Sequence, residues 1–401
     1  MIKLSVIREG KNPPDMRVPL TPKQCVEIQH NLPDLELTVQ KSSVRTFPNS
    51  SYSDLGVVLK DEVVDADVLI GVKEVPMDML VENKTYFFFS HTTKEQPYNR
   101  TLLQTLLKKN IRMIDYEGLT NEDGARIIGF GYFAGVVGAY NGIKAWGKRH
   151  KSFDLCSALE LHSLSEMGKE LQKAKLPNIK IVLTGAGRVA SGVNDVLEMM
   201  GVKKVSPENY LTESYNEIIY TQLNVEDYNK RKDGKEMPRK DFYSNFREYE
   251  SNFMRFAKVT DLYIAGHFYA EDSPFIFTRE DAKSPEFRIK VIADISCDID
   301  GPVASTLRPS TIADPMYGYH AATESEVAFD QEDAITVMAV DNLPCEFPTA
   351  ASEGFGNDML NKILPQLFNN DKGDILKRAT ICENGKLTDK YAYLQDFVDG
   401  K

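Results

Sequence analysis

Cysteine is scarce and basic charge is in deficit, and each shortage excludes something. The five cysteines stand at 25, 156, 297, 345 and 382. They form no CxxC pair and no zinc spacing, so neither a disulfide framework nor a metal site is expected, and a reducing compartment is. Basic residues are outnumbered, with 48 Lys and Arg against 59 Asp and Glu and a net charge of −11. A general nucleic-acid partner is excluded on that ground, because phosphates need a basic surface; a local basic pocket for a small anion is not. There is no repeat or low-complexity tract, and no GxxxxGKS/T loop to support ATP hydrolysis. The opening MIKLSVIREGKNPPD lacks the apolar core of a signal peptide, so a cytoplasmic protein is expected. One long apolar run exists, Ile127 to Trp146, but Asn141 and Lys144 interrupt it and no second run follows. Gly131, Gly135, Gly138 and Gly142 share one helical face there, which lets another backbone approach closely. The expectation is a buried helix linking domains, not a membrane span.

What is present suits a globular enzyme. The chain has 401 residues, 42% hydrophobic and 27% charged, more than one core usually serves, so two domains are expected. IKLSVI reads as a strand, and Thr21-Pro22 as a helix start, with Thr as cap and Pro at the first helical position. Strands LELTVQ, DVLIGV, TYFFFS and IRMIDY follow, with helices between them; the pattern is an α/β layer. Lys73, His91 and Glu117 each sit just after one of these strands. Ligands gather beyond the carboxyl ends of strands in such sheets. Lys and His are proton carriers when their surroundings tune them, and Glu117 balances two cations.

A second α/β domain opens near Asn178. Its strand IKIVLTG runs into Gly185-Ala186-Gly187-Arg188-Val189-Ala190, a GxGxxA turn, and then into an apolar helix. Gly185 permits the turn, Gly187 lets backbone touch a pyrophosphate, and Ala190 lets helix and strand pack closely. The helix N-terminus offers N–H groups to the anion. A nicotinamide cofactor, NAD(P)(H), is therefore expected. The ribose-reading position is assigned to the end of the next strand, VKKV. Ser206 there, with Lys203 or Lys204, suits a 2′-phosphate, and Glu208 suits a 2′-hydroxyl; the balance leans to NADP. The charged segment 225–249 reads as an exposed insertion or flap. The C-terminal helix PTAASEGFGNDMLNKILPQLF is expected to return to the first domain. The proposed layout is residues 1–134 with 325–401 as one discontinuous domain, and 135–324 as the dinucleotide domain.

GVKEVP, KTYFFFSHTTK, IRMIDYEGLTNEDGARIIGFG, IVLTGAGRVASG, VIADISCDIDG, VDNLPCEFP and GKLTDKYAYLQ resemble the lysine–ketoglutarate reductases, the lysine-forming saccharopine dehydrogenases. The likeness runs from about Leu4 to Leu394, and MRVPLTP is shared more widely with alanine dehydrogenases and the transhydrogenase α subunit. The resemblance implies two doubly wound Rossmann-like domains with a cleft between them. It also implies a reversible joining of lysine and 2-oxoglutarate through an imine that is reduced by hydride. It assigns Lys73 and His91 as acid/base groups tuned by Glu117. Arg17 and Arg126 become carboxylate partners and Lys94 a substrate group. Asp294 stands near the nicotinamide and the amine, and Asn342 of the DNLP motif near the cofactor. His267 has no counterpart in the family pattern and is read as structural. The second, saccharopine-cleaving domain of the animal and plant enzymes is absent from this sequence, and the loop after VKKV and the insert at 225–249 differ from the pattern. The partners expected are an amino acid and a 2-oxo acid; no membrane is expected, and a homo-oligomer is compatible. Two other readings stand beside this one: an alanine or other amino acid dehydrogenase, and a non-catalytic nucleotide-binding regulator on the same fold.

Overall fold

Val68–Ile70, Tyr86–Phe89 and Met113–Ile114 are consecutive apolar residues instead of alternating ones, which suits strands covered on both faces. The computed structural model describes all 401 residues and forms two compact units, residues 1–130 with 348–401, and residues 131–347.

In the first unit, β1 (Ile2–Val6), β2 (Leu35–Gln40), β3 (Val58–Lys60), β4 (Val68–Ile70), β5 (Thr85–Phe88) and β6 (Arg112–Asp115) are parallel. Helix α1 (Pro22–Asn31) starts as its sequence requires: the Thr21 side chain accepts from the backbone of Gln24, and the Gln24 side chain accepts in return from Thr21 N–H. Such a reciprocal cap satisfies two orphan donors at once. Successive side chains of β5 divide between two cores. Phe87 joins Leu4, Val6 and Phe355 on one face, while Tyr86 and Phe88 join Leu69, Leu103 and Leu106 on the other.

In the second unit, β7 (Lys180–Thr184), β8 (Lys203–Lys204), β9 (Ile219–Leu223), β12 (Leu262–Ala265), β13 (Val291–Asp294) and β16 (Ile335–Met338) run parallel. The hairpin-like pair β14 (Met316–His320) and β15 (Ser325–Val327) adds to the edge, with β14 antiparallel to both its neighbours. The spatial order is β15-β14-β16-β13-β12-β7-β9-β8. The apolar run 127–146 becomes helix α2 (Gly131–His150), which packs on α3 (Arg188–Met199) and on β13. No helix of the protein is long and apolar enough to cross a membrane. A side chain on Gly135 would stand 1.9 Å from Val189 O, and one on Gly192 would stand 2.1 Å from Tyr132 O. The two helices meet backbone to backbone.

The segment 225–249 is not an exposed flap. It holds β10 (Asn229–Arg231) and runs into β11 (Tyr249–Ser251), with which β10 pairs antiparallel. Val225, Tyr228, Phe242 and Tyr249 are buried in the core of the second unit. Its charges misled the sequence reading because they surround these aromatics; Arg231, for example, bridges Asp233, Asp241 and Glu248 at the surface.

The chain re-enters the first unit at Pro348, later than residue 325, because β14, β15 and β16 all belong to the second sheet. There β17 (Thr380–Glu383) pairs antiparallel with β6, and β18 (Lys386–Leu387) with β17. The finished order of the first sheet is β18-β17-β6-β5-β4-β1-β2-β3.

Candidate functional site

Because β1, β4, β5 and β6 are neighbours in that order and parallel, the loops leaving their carboxyl ends lie side by side. Those loops carry Glu9, Lys73 and Glu74, His91, and Glu117. The structure thus brings the three residues singled out in the sequence to one sheet edge. Hydrogen bonds between loops fix them there. Glu9 accepts the backbone N–H groups of Val72 (2.7 Å) and Lys73 (2.9 Å), tying the loop after β1 to that after β4. Tyr116 donates to Gly71 O at 2.9 Å. Asp115 accepts from Ser90 N–H (2.9 Å) and from Glu117 N–H (2.7 Å), so one buried carboxylate aligns the loops bearing His91 and Glu117.

His91 takes a left-handed backbone, φ 53°, and its Nδ1 lies 2.5 Å from Glu74 Oε1. A carboxylate only accepts, so Nδ1 carries the proton and a neutral ring keeps its lone pair on Nε2. Lys11 Nζ binds the other Glu74 oxygen at 2.8 Å. Burial alone would raise the Glu74 pKa; the bonds from His91 and Lys11 outweigh it and bring it down to about 2. Glu9 behaves oppositely: burial pushes it up to about 7 against the pull of its two backbone N–H bonds. Arg17 is buried, with its Nε and Nη2 on the Asp15 carboxylate at 3.0 and 2.6 Å and its guanidinium 4.1 Å from the Phe130 ring. Burial opposes the charge on Asp15, yet the Arg17 guanidinium, helped by Lys73, holds its pKa below the usual range. Lys73 therefore places positive charge beside this ion pair. Arg126 reaches Glu117 at 3.5 Å and is half exposed. Lys94 ends the short 3-10 turn after His91 and is exposed.

Sequence reasoning missed Glu9, Asp15, Glu74 and Asp115. Glu74 alone had a local signal, its place next to Lys73; the others became visible only when the strand ends came together.

The glycine turn of the second unit is built as its residues require. Gly185 has φ +104°, and a Cβ there would lie 2.4 Å from Gly266 O. Only glycine fits that close pass. A Cβ on Gly187 meets nothing within 4 Å, leaving the space a pyrophosphate would need. Gly187 caps the 12-residue α3 and, as a glycine, brings no side chain of its own to the helix start. Ala190 is fully buried. A cleft of about 480 Å³ opens here, bordered by the glycine turn with Arg188, and by Asn224, Arg239, Tyr243 and His267. These residues fit a dinucleotide.

Four expected cofactor residues do not border this cleft: Ser206, Glu208, Asp294 and Asn342. Strand β8 follows α3 in the chain but lies at the sheet edge, and β9 takes the place beside β7. The residue at the end of the neighbouring strand is therefore Asn224. Ser206 instead caps the short helix Pro207–Thr212 by accepting from Asn209 N–H at 3.1 Å, and Glu208 lies exposed in its first turn. Asp294 is fully buried and holds its own loop, accepting from Ser296 Oγ and Thr306 Oγ1, both at 2.6 Å. Burial pushes its pKa up. Asn342 begins a 3-10 turn.

Residues 5–137 match the family described as alanine dehydrogenase/PNT, N-terminal domain. Over 99% of its length the chain is 30% identical to the mitochondrial alpha-aminoadipic semialdehyde synthase of Rattus norvegicus, covering 48% of that protein. It spans about half the length of the animal relatives it matches. It is 24% identical to the NAD(+), L-lysine-forming saccharopine dehydrogenase of Emericella nidulans, over 95% of this chain and 96% of that one. A solved L-alanine dehydrogenase shares the fold with a TM-score of 0.65 and 15% identity, covering 100% of this chain and 99% of the other. A transhydrogenase from Sinorhizobium meliloti aligns with a TM-score of 0.57 at 11% identity, over 96% of this chain and 100% of that one.

Proposed function

We propose, from the premise that this chain is a homologue of the saccharopine dehydrogenases and carries an alanine dehydrogenase/PNT N-terminal domain, that it is an NAD(P)-dependent oxidoreductase joining lysine to 2-oxoglutarate and splitting the product in reverse. The observation that carries this reading is His91, locked into one tautomer by Glu74 and set on the same sheet edge as Lys73.

The chemistry needs protons moved more than once. The amine nitrogen adds to the keto carbon, the carbinolamine oxygen leaves as water after gaining a proton, and the resulting C=N carbon accepts a hydride. His91 Nε2 is the base that takes the proton from the adding amine. Lys73, as an ammonium, donates to the departing oxygen. Glu74 stabilises the imidazolium formed at His91, as a carboxylate behind a histidine does. Glu117 and Arg126 close the charge balance at the next loop, and Arg126 and Lys94, both exposed, meet substrate carboxylates. Arg17 acts there too, its orientation fixed by Asp15. The bound nicotinamide supplies the hydride.

In this reading the adenine-ribose end is read by Asn224 and Arg239. Arg239 is held by Glu226 at 2.9 Å, and no acid follows β9 directly, so NADPH is the expected partner. Loss of nicotinamide absorbance with lysine plus 2-oxoglutarate is the test. Turnover with pyruvate plus ammonia, and none with lysine, would assign an alanine dehydrogenase instead. No turnover with any amine–keto acid pair would assign a binding protein. Titration with NADH and NADPH, repeated on Arg239→Ala, settles the ribose end: the variant should lose the preference for NADPH.

A further inference from the structure

Among the side chains bordering the glycine-turn cleft, one buried polar atom has no hydrogen-bond partner within the protein: Nε2 of His267. The residue is 8% exposed and follows β12 by way of Gly266, whose backbone passes against Gly185. A Cβ on Gly185 would lie 2.9 Å from His267 Cα, so the imidazole is rooted at the rim of the glycine turn.

Its other nitrogen shows which way the ring is protonated. His267 Nδ1 lies 2.9 Å from Thr184 Oγ1, and Thr184 Oγ1 lies 2.9 Å from the Tyr263 hydroxyl. Thr184 and Tyr263 are fully buried. Burial holds the Tyr263 hydroxyl far above its ordinary pKa, so it keeps its proton, and Thr184 is the acceptor within reach. Tyr263 therefore donates to Thr184. The threonine has one proton of its own, and it goes to the remaining neighbour, His267 Nδ1. With Nδ1 accepting, the neutral ring must carry its hydrogen on Nε2. Burial also pushes the His267 pKa down to about 4, which keeps the ring uncharged near neutrality. The chain Tyr263–Thr184–His267 thus leaves a buried N–H donor without an acceptor on a residue that borders the cleft. A buried donor left unpaired is costly, and such groups in native proteins are normally satisfied by a ligand or water.

We propose that His267 donates its Nε2–H to a pyrophosphate oxygen of the bound dinucleotide, acting as a side-chain donor beside the backbone N–H groups of the glycine turn. The inference rests on the reading of this cleft as a dinucleotide site. His267 is then a binding group of this chain, not the structural residue that the sequence suggested, and Thr184 and Tyr263 are positioning residues that set its tautomer.

The test is direct binding of NADPH, NADH and ADP-ribose to the full chain, by calorimetry, for the wild type, His267→Phe and His267→Gln. Phenylalanine keeps the flat ring and removes the donor; glutamine places an amide N–H near the same point. Dissociation constants for His267→Phe should rise roughly 10- to 100-fold for all three ligands, the scale of a hydrogen bond to a charged group. ADP-ribose must lose as much as the others, because it retains the pyrophosphate and lacks nicotinamide. His267→Gln should recover most of the affinity. Nitrogen NMR of the unsubstituted protein gives a second check that needs no variant: the ring should be the Nε2–H tautomer, and that proton should shift on adding ADP-ribose. Unchanged binding by His267→Phe, or an Nδ1–H tautomer, overturns the proposal while leaving the cofactor reading intact. A wild type that binds none of the three ligands overturns both.

Discussion

Replacing Gly135 by alanine would probe the closest approach inside the second unit. The added Cβ would stand 1.9 Å from Val189 O, 2.8 Å from Val189 C and 3.1 Å from Val193 N. Real Cβ contacts do not fall below 3.0 Å, so α2 and α3 would have to separate locally by at least 1.1 Å (3.0 − 1.9). No rotamer change can relieve this, since every atom met is backbone. Against the clash stands the gain of alanine over glycine in a helix, about 1 kcal/mol. Overpacking that moves backbone costs more than that, and a net loss of about 3 kcal/mol is expected. For a unit of this size that is a fall in Tm of roughly 6–12 °C. Gly131 is the control on the same helix face. Its Cβ would lie 3.6 Å from Arg188 Cβ, an ordinary contact, and Gly131→Ala should be neutral. Gly138→Ala should fall between them, because the atoms it meets belong to the side chains of Ile295 and Leu343, which can shift where backbone cannot. The assay is thermal unfolding followed by tryptophan fluorescence. The chain has one tryptophan, Trp146, 5% exposed on α2, so the signal reports this unit. Gly135→Ala melting within a degree or so of Gly131→Ala would refute the reasoning.

Lys73→Met and His91→Gln should each lower kcat about 10²–10⁴-fold, measured at steady state, with NADPH affinity nearly unchanged. Glu74→Gln should lower kcat by about 10–100-fold, less than His91→Gln, because it removes the group that holds the tautomer and not the proton carrier itself. Glu9 has a folded-state pKa of about 7 against an ordinary 4.5, so its stabilising contribution is complete below pH 4.5 and is lost as the pH rises through 7. The span is at most about 3 kcal/mol. Urea unfolding of wild type and Glu9→Gln across this range should show a stability decline in the wild type that the variant lacks.

Much of this was legible in the sequence because local rules sufficed. Thr21-Pro22 and Gln24 spell a cap; four glycines on one face spell a close helix contact; strand, GxGxxA and helix spell the turn that the structure contains. Lys73, His91 and Glu117 stand out by the same means, as polar residues just past apolar runs, and the sheet order sets them at one edge. What failed depended on spatial order. The ribose position was sought after β8, the next strand in the chain, whereas the sheet places β9 beside β7 and so offers Asn224. Glu9, Asp15 and Asp115 look like any other acids until parallel pairing stacks their loops. In 225–249, composition hid structure: a majority of polar residues drew attention from Tyr228, Phe242 and Tyr249, which decide where the segment packs.

The division of the chain also bears on the order in which it folds during synthesis. Residues 131–347 form the second unit without interruption, whereas the first unit waits for residues 348–401. Until they emerge, β6 is an open edge, since β17 comes to pair with it only at Thr380–Glu383. Phe355, Met359 and Ile363, which help to cover Leu4, Val6 and Phe87, arrive late as well. A chain released after residue 347 would therefore carry a completed second unit and a first unit with one bare apolar face and an unpaired strand, the condition in which incomplete chains aggregate or recruit chaperones.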